Sequence, residues 1–152
     1  MKGVFFSRRE IQFLYSNEIC RVATCHNNLP HVTPVSYIFD NGKFYFATDY
    51  DTLKYANLKK NNRISLVVDT SENNHNSALV TRGITKFIHK GKKFENLYDL
   101  FYDRFDWVRN DPWDRGRDLA DCGDLQWDRP HENIRLLAKP HRWGGHHPGG
   151  WP

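Results

Sequence analysis

Apolar and polar residues alternate with a period of two in several short segments of this chain, and such alternation predicts half-buried β-strands. Turn signals separate these segments; Asn41-Gly42, for example, favours a tight hairpin. Residues 71–77 are polar without alternation and predict a loop. Six predicted strands result, at 19–25, 30–39, 43–49, 63–70, 78–89 and 132–139.

Three helices are predicted among these strands. A capping-box pattern that starts at Ser7 precedes a helix over about 8–17. Thr52 is the expected N-cap of a short helix over 52–60. Apolar residues three and four apart at 92–105 are typical of an amphipathic helix. Because helices do not alternate with strands throughout, the pattern favours a mainly β (α+β) fold, a small six-stranded antiparallel barrel with peripheral helices, over a doubly wound α/β sheet.

Length and composition are those of one soluble globular domain. The chain has 152 residues, of which 39% are apolar and 26% charged. We assign residues 1–140 to a single domain and expect the Gly- and His-rich residues 141–152 to be a mobile tail. No apolar run of about 18 residues predicts a membrane span, and no apolar signal core precedes the charges at Arg8, so a cytoplasmic protein is expected.

Net charge and the placement of the histidines argue against a nucleic-acid-binding protein and against a metal site. The net charge of +4 permits an anionic ligand. The chain nevertheless lacks the clustered basic stripe of a nucleic-acid-binding protein. The aromatic strands at 35–46 suit base stacking, yet basic residues do not follow them, so no nucleic-acid partner is expected. Three histidines, His141, His146 and His147, lie among glycine and proline, a setting for adventitious binding, so no metal site is predicted.

The strongest candidate chemistry lies where the third predicted strand leads into the short helix. Thr48 ends that strand, Thr52 caps the helix, and Lys54 lies in its first turn. A helix N-terminus has unpaired amides and a partial positive charge, which suit a phosphate group. Asn57 lies one turn beyond Lys54 on the same face. The alternative interpretation is an ordinary capped helix with a surface lysine.

Two further residues extend this candidate site. Arg21 shares a strand face with apolar neighbours, so it needs an anionic partner or an exit to solvent. A cofactor phosphate is one such partner, and an aspartate near a barrel rim is the other. Pro34 interrupts a strand and marks a bend, which would frame a flat ring with the backbone of Val35 and Ser36. The alternative for Pro34 is a barrel corner.

The order of these motifs resembles the pyridoxamine 5′-phosphate oxidase-like flavin-binding split barrels. The resemblance covers residues 8–89 well and the remainder loosely. The motifs that carry it are Arg21-Val22-Ala23-Thr24, Leu29-Pro30, Thr33-Pro34-Val35, Phe46-Ala47-Thr48, Thr52-Leu53-Lys54, Asn57-Leu58 and Ile64-Ser65-Leu66-Val67.

The resemblance implies a split barrel that binds FMN and transfers hydride or electrons through it to a small-molecule substrate, with a nicotinamide donor as a further partner. It also implies a homodimer with two flavins at the subunit interface. The phosphate would be bound by Arg21, Thr48, Thr52 and Lys54, with Asn57 beside them. The ring would lie against Ala23, Thr24, Pro34, Val35 and Ser36.

Other functions stay open at this point. A deazaflavin would use the same phosphate site, and a non-catalytic flavin- or haem-binding module would use the same barrel. No catalytic acid or base stands out, which is consistent with redox chemistry carried by the cofactor. Residues 103–129 interleave Asp, Arg and Trp and fit either a lid over a flat ligand or a salt-bridged surface extension.

Overall fold

Seven strands and four helices make up the described part of the chain, which comprises residues 6–73, 75–110, 122–126 and 135–139 of a computed structural model. The helices are α1 (Arg8–Tyr15), α2 (Leu53–Lys60), α3 (Lys92–Arg104) and α4 (Asp106–Asn110). The strands are β1 (Ile19–His26), β2 (Leu29–Asp40), β3 (Lys43–Phe46), β4 (Arg63–Glu72), β5 (His75–Ile88), β6 (Cys122–Gln126) and β7 (Arg135–Lys139).

The strands form one antiparallel sheet that curls on itself. Its order is β4-β1-β2-β3-β6-β5-β7, and β4 also pairs with β5. The strands β4, β1, β2, β3, β6 and β5 therefore form a closed circuit. β7 pairs with residues 76–80 of β5, on the same edge that β6 uses at 84–88. The predicted fold class, a mainly β split barrel with peripheral helices, is confirmed.

Local signals fixed several elements as predicted. Ser7 and Glu10 make both hydrogen bonds of the capping box at the start of α1. The β2–β3 hairpin turns at Asn41 and Gly42, whose φ angles of 49° and 77° are both positive, as a two-residue hairpin turn requires. Thr52 is the N-cap of α2. These devices depend only on residues close in sequence.

The structure differs from the predictions in three places. β3 ends at Phe46 and not at residue 49, so Thr48 lies just beyond the strand in the connection to α2. Residues 71–77 are not a loop: β4 continues to Glu72 and β5 begins at His75, because the backbone ladder extends past the last buried residue to the pair Glu72–His75. β6 lies within residues 103–129, where no strand was predicted, and it bridges the edges of β3 and β5. The predicted tail at 141–152 and residues 111–121 lie outside the described residues.

Two hydrophobic clusters stabilise the fold. The first fills the barrel between the strands, α1 and α2, and includes the fully buried Phe44 and Phe46. The second packs α3 and α4 against the outer side of β2 and β3, where Phe101 lies close to Ile38 and Tyr45 in the same cluster. No helix in the described ranges is long and apolar enough to cross a bilayer.

The carboxyl end of α1 is tied to both clusters. The hydroxyl of the buried Tyr37 donates to the carbonyl of Leu14 at 2.5 Å. The guanidinium of Arg104 donates to the carbonyls of Tyr15 at 3.0 Å and Asn17 at 2.7 Å. Carbonyls at a helix end have no partner within the helix, so these side chains supply the missing donors. The start of β1 is thereby held in place.

Candidate functional site

The start of α2 is organised by a chain of threonine hydroxyls. The Thr52 hydroxyl accepts from the Tyr55 amide at 3.2 Å and donates to the Asp49 carbonyl at 2.8 Å. A hydroxyl has one proton, so in the 3.0 Å contact between the Thr48 and Thr52 hydroxyls we assign Thr48 as the donor. The first amides of α2 have no acceptor within the helix. We call Thr48, Thr52, Lys54 and these amides the α2 cradle.

Lys54 is a buried cation in this cradle. The residue is only 7% exposed, and within the described ranges its ammonium makes no hydrogen bond or ion pair. Burial lowers the pKa of Lys54 from its ordinary value of 10.5, and the nearby charge of Asp49 opposes that shift. The alternative of a surface lysine is therefore wrong. Partial desolvation of an unpaired ammonium costs free energy that an anionic ligand would recover.

Two asparagines attach α2 to β1. The side-chain amide of Asn57 donates to the hydroxyl of Thr24 at 3.1 Å, and both residues are buried. One turn later, the side-chain amide of Asn61 donates to the carbonyl of Cys25 at 2.9 Å. These bonds fix the position of the helix along the strand. The orientation of the α2 cradle therefore depends on Thr24 and Asn57, although neither residue lies at the N-terminus of α2.

The predicted site residues fall on two faces of the sheet. Thr24 and Val35 lie on the inner face, where Val35 packs against the barrel cluster. Arg21 is exposed on the opposite face of β1, and its register partner on β2 is Pro34. The predicted site residues that strand alternation places on this outer face are Arg21, Ala23, Pro34 and Ser36.

Arg21 forms an ion pair with Asp69 of β4. Register explains the contact, because Arg21 lies opposite Val67 and Asp69 is the next residue on the same face of β4. This is the aspartate pairing that the sequence left open as the alternative for Arg21. The structure thus brings Thr48, Thr52 and Lys54 together at one end of α2, and it places Arg21 on the other side of β1.

Cys20 lies in the barrel cluster, as strand alternation and its apolar neighbours predict for a small buried side chain. Its thiol is buried, and burial raises the pKa of Cys20 to about 12. The thiol is therefore neutral near pH 7 and behaves as a small apolar side chain. Cys25 is partly exposed, as expected for the opposite face. Among the residues that the structure describes, no group of three or more His, Cys, Asp or Glu side chains is placed to hold a metal ion.

Comparison with known proteins adds a family assignment. The family model described as pyridoxamine 5′-phosphate oxidase matches residues 9–121, more than half of the chain. No curated protein matches the chain by sequence.

Several solved structures share the fold. A conserved hypothetical protein from Mycobacterium tuberculosis has a TM-score of 0.69 at 17% identity, over 96% of this chain and 98% of its own. A FAD-binding protein from Mesorhizobium loti has a TM-score of 0.63 at 18% identity, over 82% and 91% of the two chains. The haem storage protein HutZ from Vibrio cholerae has a TM-score of 0.69 at 14% identity, over 87% and 94%. At these identities the likeness establishes the fold alone.

Proposed function

Since the chain belongs to the pyridoxamine 5′-phosphate oxidase family, we propose that it is a flavin oxidoreductase whose α2 cradle binds the phosphate of the FMN moiety. The observation that supports this most directly is Lys54, a residue only 7% exposed beside a helix N-terminus, whose ammonium has no hydrogen-bond or ion-pair partner within the described ranges. When bound, the isoalloxazine ring supplies the redox chemistry, and electrons pass to a small-molecule substrate. A nicotinamide donor is the expected source of those electrons.

The donors of the cradle suit a phosphate monoester. The ammonium of Lys54 is a compact positive charge, which binds phosphate as a point charge. The first amides of α2 and the helix dipole favour the same anion. The hydroxyls of Thr48 and Thr52 are already linked to each other, so a bound phosphate oxygen would accept from a hydroxyl after a small rotation. The charge of Asp49 disfavours additional anions nearby.

The outer face of the sheet is proposed as the dimer interface. Ile19 and Val80 are exposed there, and Val32 is 65% exposed. They surround the ion pair of Arg21 and Asp69, which is neutral as a unit. An apolar face of this kind is covered most simply by a second copy of the same face, related by a two-fold axis. The predicted ring-binding residues Ala23, Pro34 and Ser36 lie on this face.

A single charge should disrupt this dimer. Val32→Asp would bury a carboxylate against the second copy, so the dimer should dissociate at concentrations where the wild type is intact. Light scattering coupled to gel filtration would measure the mass. Leu29→Asp is the matched control, because Leu29 is 71% exposed on the same strand but faces the other side of it. Loss of the dimer in both variants, or in neither, would argue against this interface.

The proposed function is tested by loading the purified protein with FMN. We expect stoichiometric binding by calorimetry, a flavin absorption spectrum, and reduction of the bound flavin by a nicotinamide donor. The spectrum separates flavin from haem, and the mass of released cofactor separates flavin from deazaflavin. A protein that binds neither FMN nor a deazaflavin would refute the proposal. Tight binding without reduction by a donor would favour a non-catalytic module.

A further inference from the structure

One edge of β2 is open along the first part of the strand. Among the strands that the structure describes, β2 pairs with β1 and β3, and β3 reaches only residues 37–40 of it. Residues 29–36 therefore have β1 on one side and no described strand on the other. We call this second side, over residues 29–36, the β2 edge. An open edge offers its unpaired amides and carbonyls to a strand of another molecule.

The side chains along the β2 edge favour strand pairing. Residues 29–36 contain three β-branched residues and no Asp, Glu, Lys or Arg. Two of their apolar side chains are largely exposed, Leu29 by 71% and Val32 by 65%. A short uncharged segment of this kind pairs readily with copies of itself, and charged side chains are the usual protection against such pairing. The β2 edge therefore needs a different protection.

Backbone alternation decides which residues turn their amides toward the β2 edge. The β1–β2 hairpin has a two-residue turn, so its closing pair, His26 and Leu29, exchanges both backbone hydrogen bonds. Every second residue of β2 from Leu29 onward bonds to the strand before it. Tyr37 continues this series, since its amide donates to the carbonyl of Glu18 at 3.0 Å. The backbone groups of residues 30, 32 and 34 therefore point the other way, toward the β2 edge.

Prolines occupy two of these three positions. Pro30 and Pro34 have no backbone N–H, so over residues 30–34 the β2 edge presents the amide of Val32 alone. Neither proline costs β2 a hydrogen bond with β1, because both lie at positions that do not bond to it. β2 accordingly runs unbroken through both residues. A strand laid along this edge would meet a pyrrolidine ring at two places where its carbonyls need a donor.

We propose that Pro30 and Pro34 prevent the β2 edge from pairing with the same edge of a second copy of the chain. With amides at both positions, two copies would pair antiparallel about Val32 and join their sheets into one. The prolines block that pairing, so association between copies is left to the faces of the sheet. This inference goes beyond flavin binding and does not depend on it.

The test replaces the prolines and follows the mass of the protein by light scattering coupled to gel filtration. Pro30→Val with Pro34→Val restores both amides on an apolar edge, so at high concentration it should form species at least about twice the mass of wild type. Each single variant restores one amide and should associate more weakly. Pro30→Lys with Pro34→Lys is the matched control, because it restores the same amides but adds charge, so it should form no species larger than wild type.

Hydrogen exchange shows whether the β2 edge is the surface that pairs. In the double valine variant, the new amides at positions 30 and 34 should exchange slowly in the large species and rapidly after dilution. Cooperative urea unfolding of the diluted variants shows that they are folded. The inference is overturned by wild-type mass in all valine variants, by large species in the lysine variant as well, or by large species whose amides at 30 and 34 exchange rapidly.

Discussion

Lys54→Met should weaken FMN binding by about 10- to 100-fold and, at the same time, stabilise the ligand-free protein. The first effect follows from losing a charge-assisted contact with the phosphate, which is worth about 1.5–3 kcal/mol. The second follows from burial: the residue is 7% exposed and its ammonium has no partner in the ranges the structure describes. Methionine fills a similar volume without a charge, so the gain should be about 1–3 kcal/mol.

Lys54→Met is expected to weaken FMN binding but to raise the free energy of unfolding, and these opposite signs make the prediction specific. A lysine that merely supported the fold would lose stability and binding together when replaced. Lys60→Met is the matched control, because Lys60 is exposed in the last turn of the same helix. It should change both quantities little, by less than about 0.5 kcal/mol. Urea unfolding of the ligand-free proteins and calorimetry with FMN measure the two effects. Wild-type FMN affinity in Lys54→Met would contradict the assignment of the cradle.

The pH dependence of both quantities has a defined sign. Burial lowers the pKa of Lys54 in the folded protein below 10.5. Between that lowered value and 10.5, the unfolded chain binds more protons at this lysine, so the contribution of Lys54 to the free energy of unfolding rises with pH, whereas the raised pKa of Cys20 contributes the opposite slope above 9.0. FMN binding needs the charged ammonium, so affinity should fall as pH rises through the same window. The difference between wild type and Lys54→Met isolates the contribution of the lysine, because Cys20 titrates in both proteins; unfolding and binding series at several pH values measure that difference.

The local parts of the site were predictable from sequence, and the parts set by strand register were not. The N-cap at Thr52 and the hairpin at Asn41-Gly42 depend on neighbouring residues, and both were found where predicted. The partner of Arg21 depends on how β1 aligns with β4, across more than 40 positions of sequence, and no local signal gives that alignment. Alternation alone did place Arg21 with Ala23 on one face of β1.

The sequence pattern likewise could not predict which polar residues are buried. Lys54 belongs to a helix with little amphipathic character, so nothing in its spacing distinguishes a buried lysine from a surface one. Its burial comes from the position of α2 against β1, which is set by side-chain hydrogen bonds between residues far apart in the chain. β6 was not predicted for a related reason. It forms because it pairs with the edges of β3 and β5 on its two sides, and both of those strands are far from it in sequence.

Asn57→Ala should lower stability by about 1–3 kcal/mol and weaken FMN binding as well. The substitution removes the donor to the buried hydroxyl of Thr24 and leaves a small cavity beside it. Because this bond fixes α2 along β1, its loss should also let the α2 cradle shift, so FMN affinity should fall without any change in the cradle residues themselves. Urea unfolding and FMN calorimetry measure the two effects, which here have the same sign.

A double-mutant cycle with Thr24→Val separates the hydrogen bond from the cavity. If the bond is the main cause, Thr24→Val should destabilise by itself, and the double variant should lose less than the sum of the single losses, by about 0.5–1.5 kcal/mol. Thr24→Ser keeps the hydroxyl and should retain most of the FMN affinity. Additive losses in the cycle, or an Asn57→Ala protein with wild-type FMN affinity, would mean that α2 is positioned by packing alone. The pair Thr24–Asn57 would then be a structural contact with no effect on the site.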